Sequence, residues 1–203
     1  MAAARLTYAY CGWCYGFGQA PRQLAAENAD RIELRVLSGG IFSGPRALPV
    51  SAYLHIPGAN QRIADLTGVT FGDGYRRMLD EGSTVMDSAA ATVLAALHRQ
   101  APERALELAG ALQRAWYIDG RSLSDVEVHW AIAAEHGLDA DAFLDPTTRA
   151  EAEDDFRELR PLGVDAYPTL LLHTPTGTHR LGGPVSSAAS LTEGLDRHLA
   201  PAA

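Results

Sequence analysis

Hydrophobic and polar positions along the chain predict a β–α–β unit, a long helical block and a closing β–β–α unit. Residues 5–10 are rich in β-forming side chains, and residues 32–37 alternate apolar and polar positions with the period of a half-buried strand. Between them a helix is expected from residue 14 to about residue 28, with weak points at Gly16, Gly18 and Pro21.

The middle of the chain begins with a segment, residues 41–58, whose density of Pro and Gly predicts a loop. Candidate helices follow at 75–81, 87–100 and 102–116. Ser124 and Thr148 each begin a capping-box pattern that predicts a helix start, and Gly137 predicts a helix end.

Strand character returns at residues 169–173, and the turn sequence at 175–177 predicts a hairpin with residues 178–181. Residues 187–199 then predict a final helix. Strands that alternate with helices in this order indicate the α/β class.

Composition and charge argue against nucleic-acid and membrane partners. The 203 residues are 47% hydrophobic and carry a net charge of −8, with no basic run, so a nucleic-acid partner is not expected. No apolar run reaches the length of a membrane span, and the first residues lack the features of a secretory signal. We therefore expect a cytoplasmic protein that does not bind a membrane; the oligomeric state stays open.

Chemistry is concentrated in the two cysteines, Cys11 and Cys14, which are three positions apart. Cys11 falls where the first strand gives way to a helix, and a helix N-terminus favours an anion such as a thiolate. Cys11 is therefore the expected nucleophile and Cys14 the expected resolving thiol. The intervening Gly12 and Trp13 carry no positive charge, so the direction of electron flow stays open.

Two other interpretations of this cysteine pair remain. Zinc needs four ligands, and His129 and His136 share a predicted helix, although nothing in the sequence pairs them with the cysteines. The pair could also be inert and buried, but its position after a strand and at the start of a helix favours redox chemistry.

A second motif lies near the C-terminal strand, where Tyr167-Pro168-Thr169-Leu170 sets a proline just before an apolar run. Together with Cys-Gly-Trp-Cys-Tyr-Gly-Phe at 11–17, Gly39-Gly40 and the Tyr-Ile-Asp-Gly-Arg segment at 117–121, it resembles the DsbA-like branch of the thioredoxin superfamily. The resemblance is to the bacterial disulfide isomerases and FrnE-like proteins of that branch, and it covers essentially the whole chain.

The resemblance implies a thioredoxin-like fold with a helical insertion. Its core would comprise residues 1–44 and 161–203, and the insertion residues 45–160. It also implies a cis bond before Pro168, which would lie beside both cysteines. The backbone of Tyr167, with Gly12 and Trp13, would contact the substrate.

The implied enzyme is a protein-disulfide oxidoreductase or isomerase acting on thiol- or disulfide-containing proteins or peptides. It would need no metal and no cofactor beyond the redox-active disulfide, with glutathione as a possible redox partner. Relatives often carry Asp-Pro before the first cysteine, where this chain has Ala9-Tyr10. We hypothesise that loss of this negative charge makes the Cys11 thiolate less disfavoured than in relatives.

Two alternatives from other classes stay open. Kappa-class glutathione transferases and hydroxychromene-carboxylate isomerases share the implied fold but use a single Ser or Cys, so the second cysteine argues against them. A non-enzymatic binding domain that retains the motif is the other. Of the remaining aromatic residues, Tyr15 and Phe17 are expected in the core or a groove wall, and core packing is expected for Trp116, Tyr117 and Trp130.

Overall fold

The computed structural model describes residues 2–6, 9–159, 161–164 and 166–200. In chain order its strands are β1 (Ala2–Leu6), β2 (Ile32–Val36), β3 (Leu48–Pro49), β4 (Val85–Met86), β5 (Leu170–Thr174) and β6 (Gly177–Gly182). Its helices are α1 (Gly12–Phe17), α2 (Gln19–Glu27), α3 (Ile56–Thr67), α4 (Asp73–Glu81), α5 (Ala89–Gln100), α6 (Ala105–Tyr117), α7 (Val126–Glu135), α8 (Pro146–Leu159) and α9 (Ala188–Leu199).

The main sheet has four strands in the order β2-β1-β5-β6. Strand β1 pairs in parallel with β2 and antiparallel with β5, which forms an antiparallel hairpin with β6. The parallel pair requires a crossover, which α1 and α2 supply. The predicted β–α–β and β–β–α units are confirmed and share one sheet, which confirms the thioredoxin-like α/β fold with a helical insertion.

Apolar side chains form two clusters that lie on either side of helix α1. The smaller cluster packs the sheet against α2 and α9 and comprises Phe17, Leu24, Ile32, Leu170, Leu172, Leu191 and Leu195. The larger cluster fills the helical region and includes Trp116, Tyr75 and Leu94 as well as Cys14. Helix α1 is thus fixed from both sides, because Phe17 belongs to one cluster and Cys14 to the other.

The first predicted strand is wrong in its limits. Strand β1 ends at Leu6, residues 7–8 lie outside the described residues, and Ala9 and Tyr10 form a turn in which both are buried. The Tyr10 ring lies 4.7 Å from the ring of Trp116 in an edge contact. The β-forming composition of residues 5–10 therefore reflects aromatic burial at its end and not a continued strand.

The limits of two helices differ from the sequence prediction, in both cases at Pro or Gly residues. The predicted helix after Cys11 is divided at Gly18 into α1 and α2. The predicted loop ends early, because α3 begins at Ile56 with Pro57 and Gly58 in its first turn. Proline is tolerated there, since the amide groups of a first helical turn have no intrahelical acceptor.

At both predicted capping boxes, a neighbouring aspartate caps the helix in place of the predicted serine or threonine. The Asp125 carboxylate, not Ser124, accepts the backbone N–H of Glu127 at 3.0 Å. Helix α8 begins at Pro146, and the Asp145 carboxylate accepts the N–H of Thr147 at 2.9 Å. Aspartate caps as well as serine or threonine, so adjacent candidates compete and tertiary packing selects between them.

Core packing is confirmed for two of the three tryptophan and tyrosine residues assigned to it in the helical block. Trp116 and Tyr117 are each 1% exposed. Trp130 is 36% exposed and its indole N–H donates to Asp141, so its assignment to the core is wrong. The division of the chain into residues 1–44 and 161–203 with an insertion at 45–160 stays a prediction.

Candidate active site

The first cysteine forms the N-cap of helix α1. Cys11 has an extended backbone, its carbonyl accepts the N–H of Tyr15 at 3.0 Å, and its Sγ accepts the N–H of Cys14 at 3.3 Å. The sulfur thus takes the place that a serine or aspartate oxygen usually occupies at a helix start. Cys14 lies within the same helical turn and is 2% exposed, whereas Cys11 is partly exposed. Both are free thiols in this structure.

This arrangement shifts the two thiols in opposite directions. The hydrogen bond from the Cys14 thiol, followed by backbone N–H groups of Cys14 and Trp13, lowers the pKa of Cys11 against the opposing effect of its burial. Burial, then the hydrogen bond and charge of Cys11, raise the pKa of Cys14 well above its usual range. A single negative charge on the pair therefore resides on the Cys11 sulfur.

The second wall of the site comes from the far end of the chain. The Tyr167–Pro168 peptide bond is cis, and the Cys11 thiol lies 3.8 Å from the Tyr167 carbonyl oxygen that it faces as donor. Pro168 is buried and Tyr167 is half-buried. Burial, and then the negative charges of Cys14 and Cys11, raise the pKa of the Tyr167 phenol, while Arg46 acts in the opposite direction. The structure therefore brings Cys11, Cys14, Tyr167 and Pro168 together.

Gly39 is a contributor whose role the sequence prediction missed. The sequence prediction names Gly39, with Gly40, only as part of the family resemblance. A Cβ atom on Gly39 would lie 2.4 Å from the Tyr167 ring, so the absence of a side chain leaves the space that this ring occupies. Gly40 has the same relation to the Phe156 ring, at 2.8 Å. Two adjacent glycines soon after a strand were the available signal for such close approach.

Helix α3 was also missed as a neighbour of the site. It packs on the face of α1 that carries Gly12 and Gly16: a Cβ atom on Gly12 would lie 2.9 Å from Ile63 Cδ1, and one on Gly16 would lie 2.8 Å from Ile63 Cγ2. Gly12 in the cysteine motif thus has a packing reason. The four-residue spacing of the two glycines was the available signal, since such positions share a helix face.

No family model matches the chain, and no curated protein sequence does. Solved structures do match. The chain is similar to the cytosolic disulfide reductase DsbM from Pseudomonas aeruginosa, with a TM-score of 0.82 and 27% identity over 97% of this chain and 98% of that one. The structure of DsbM with GSH gives a TM-score of 0.80 and 28% identity over the same shares, 97% and 98%. In fold, the chain resembles the DsbA-like oxidoreductases of the thioredoxin superfamily.

Two further structures share the fold of this protein. One, from Nitrosomonas europaea, is described as a candidate protein disulfide isomerase; its TM-score is 0.83 at 16% identity over 98% of this chain and 97% of that one. The other is a 2-hydroxychromene-2-carboxylate isomerase, with a TM-score of 0.66 at 12% identity over 97% and 95%. At these identities the likeness concerns the fold alone.

Aromatic side chains line helix α1, which carries the two cysteines. Tyr15 stacks on Tyr117 with ring centroids 4.7 Å apart and donates its hydroxyl to the Thr70 carbonyl. Phe17 is 2% exposed, as expected for a core residue. Trp13, expected to contact the substrate, is half-buried and packs against the larger apolar cluster.

The histidines considered as zinc ligands have other partners. A ring nitrogen of His129 lies 2.7 Å from the Leu123 carbonyl oxygen, and His136 lies between Arg104 and Glu107. Across the described residues, no group of three or more His, Cys, Asp or Glu side chains is arranged to hold a metal ion. Among the described helices, none combines the length and apolarity that crossing a bilayer requires.

Proposed function

We propose that this protein catalyses thiol–disulfide exchange, with Cys11 as the attacking thiolate and Cys14 as the resolving thiol. The observation that carries the proposal is the placement of two thiols within one helical turn, with Cys11 as the N-cap whose sulfur accepts the N–H of Cys14 and with Cys14 buried. This arrangement lowers the pKa of Cys11 and raises that of Cys14. The thiolate is the reactive species, so Cys11 is ready to attack at a pH where Cys14 keeps its proton.

In the reductive direction, the Cys11 thiolate attacks one sulfur of a substrate disulfide. A bond forms between Cys11 and that sulfur, the substrate S–S bond breaks, and the second substrate sulfur leaves as a thiolate that takes up a proton. Cys14 then loses its proton and attacks the Cys11 sulfur, which releases the first substrate sulfur as a thiolate that is protonated in turn. The substrate gains two electrons and two protons, and Cys11 and Cys14 end as a disulfide.

The charge distribution changes during these steps in a way that favours the second one. In the mixed disulfide Cys11 is no longer charged, so its negative charge ceases to raise the pKa of Cys14. Cys14 therefore becomes easier to deprotonate once the substrate is attached. The reverse sequence oxidises a dithiol substrate, and the reduction potential of the pair decides which direction dominates.

We further propose that an extended substrate segment lies along Tyr167. Its carbonyl oxygen faces the Cys11 thiol at 3.8 Å, so it becomes available to a substrate N–H when that thiol loses its proton. Gly12 and Trp13 would form the opposite contact, at the start of α1.

Glutathione is the redox partner that we propose, and the cytoplasm is the proposed location. Support comes from DsbM, which is 28% identical over nearly the full length, is described as cytosolic and was solved with GSH. Two glutathione molecules would reduce the Cys11–Cys14 disulfide and leave as glutathione disulfide, which balances the two electrons of each turnover.

A second candidate is a glutathione-binding transferase or isomerase of the kappa class, which the shared fold with 2-hydroxychromene-2-carboxylate isomerase favours. That chemistry would use one cysteine. Turnover that depends on Cys14 therefore separates the two candidates.

The test is reduction of insulin by glutathione, with oxidation of a dithiol peptide as the reverse assay. We expect Cys11→Ser to lose both activities and Cys14→Ser to accumulate a mixed disulfide that mass spectrometry detects. An active Cys11→Ser protein would overturn the assignment and favour a binding domain, and full turnover by Cys14→Ser would favour the second candidate. The equilibrium with glutathione buffers gives the reduction potential.

A further inference from the structure

A cleft of about 780 Å³ opens between the active-site helix α1 and helices α6 and α7. Tyr15 forms part of its wall, and neither Cys11 nor Cys14 lines it. Its volume falls in the range of about 300–1,000 Å³ that small-molecule sites occupy. A ligand held here would leave the cysteine pair free.

Three arginines line this cleft: Arg22, Arg114 and Arg121. Within the described part of the chain none of the three forms an ion pair, whereas arginines elsewhere pair with Asp or Glu, as Arg99 does with Glu151 at 2.7 Å. The cleft therefore collects positive charge that the fold does not neutralise directly.

Arg22 is exposed, but one end of its guanidinium approaches the junction of α1 and α2 and the neighbouring helix α6. Its Nη1 lies 3.2 Å from the point that a Cβ atom on Gly18 would occupy and 3.3 Å from the same point on Gly110. Two glycines, one between α1 and α2 and one on α6, thus leave room for this guanidinium. Partial loss of hydration lowers the pKa of Arg22.

Arg22, Arg114 and Tyr15 line the same cleft. Burial raises the pKa of the Tyr15 phenol, and the positive charges of Arg114 and Arg22 act in the opposite direction. The Tyr15 hydroxyl donates to the Thr70 carbonyl at 2.8 Å, so its oxygen keeps acceptor capacity but offers no negative charge. A bound anion would supply the charge that both guanidiniums lack.

The acidic residues of the cleft do not cancel these charges. Glu107 is taken by Arg104 at 2.7 Å and His136 at 2.9 Å. Asp119 and Glu135 also line the cleft, which leaves two uncommitted carboxylates against three guanidiniums. The rest of the wall includes apolar side chains, namely Val69, Leu106, Ile118 and Ile132.

We propose that this cleft binds a small organic anion, with a carboxylate or phosphate group against Arg22 and Arg114 and an apolar body along the α6 and α7 walls. The shared chemistry of the ligand is one anionic group on a compact apolar frame. Arginine suits both carboxylate and phosphate, because its planar donors can bind two oxygens at once. The site does not depend on the proposed exchange reaction.

The test uses three probes of one shape: phenyl phosphate, benzoate and the neutral benzamide. Binding is measured by ligand-observed NMR titration on the Cys11→Ser/Cys14→Ser protein, so that redox chemistry plays no part. We expect at least one anion to bind and benzamide to bind at least about tenfold more weakly. The anion that binds more tightly identifies the group that the site prefers.

Arg22→Gln and Arg114→Gln should each weaken anion binding at least about tenfold, the loss expected for a charge-assisted hydrogen bond. Arg77→Gln, at an exposed position on α4, is the matched control and should leave binding unchanged. Circular dichroism confirms that the variants are folded. The proposal is overturned if neither anion binds, if benzamide binds equally well, or if Arg22→Gln and Arg77→Gln behave alike.

Discussion

Replacement of Gly16 by Ala tests how α3 holds the active-site helix. A methyl group at this position would lie 2.8 Å from Ile63 Cγ2, 2.9 Å from Thr67 Oγ1 and 3.1 Å from Thr67 Cγ2. Apolar carbon contacts are normally about 3.5–4.0 Å, so one helix must move by roughly half an ångström or more. Both neighbours are β-branched and stiff, and Ile63 is 1% exposed, so neither side chain can simply rotate away.

Two effects of opposite sign compete in this variant. Gly→Ala within a helix normally stabilises a protein by about 0.5–1 kcal/mol, because the unfolded chain loses freedom. Overpacking of a well-filled contact costs about 1–3 kcal/mol. We expect the second effect to win, with a net loss of roughly 1 kcal/mol in the free energy of unfolding.

Urea denaturation of the reduced protein measures this loss as a midpoint about 0.5 M lower, for a slope near 2 kcal/mol/M. Gly58→Ala is the control, because Gly58 also lies in a helix but a Cβ atom there meets nothing within 4 Å. It should be neutral or stabilising. Gly16→Ala combined with Ile63→Ala should be less unstable than the sum of the two single changes, since the new methyl group enters the vacated space. Equal midpoints for Gly16→Ala and Gly58→Ala would refute the packing argument.

The remaining predictions concern the cysteine pair and its surroundings. Gly39→Ala should displace the Tyr167 ring, which lies 2.4 Å from the new methyl position, and lower kcat/KM for insulin reduction by about tenfold or more. Adding Tyr167→Ala should remove the clash, so strictly additive effects of the two changes on stability would contradict this reasoning. Iodoacetamide should label Cys11 alone, and the labelling rate should rise with pH through a pKa below the ordinary thiol value of about 8.5. Cys14 should stay unlabelled because it is buried and its pKa is raised, so equal labelling of the two thiols would argue against the opposite pKa shifts. Ala9→Asp should raise the Cys11 pKa relative to the uncharged control Ala9→Asn, and identical pKa values would exclude the charge hypothesis.

Several parts of the fold follow from local sequence because short-range forces determine them. Residues 32–36 alternate sharply enough to specify a strand, and α9 has apolar positions at helical spacing on one face. Helix α5 is an apolar run that is buried around most of its circumference. The hairpin turn before Gly177 was also predictable, since a glycine with positive φ suits such a turn. Helix starts were less predictable, because Ser124 and Asp125 are both good caps and the difference between them is small.

The candidate site likewise combines features that local sequence shows with contacts that depend on tertiary packing. The two cysteines, their place at a helix start and the proline before a strand are local features that the sequence by itself determined, and they were enough to indicate redox chemistry. Only the tertiary structure decided that Tyr167 meets Cys11 across 156 positions, that Gly39 makes room for its ring, and that α3 lies on Gly12 and Gly16. These contacts depend on how elements distant in sequence pack together. The role of a glycine in such a contact can be recognised only when the neighbouring side chain that occupies the space beside it is known.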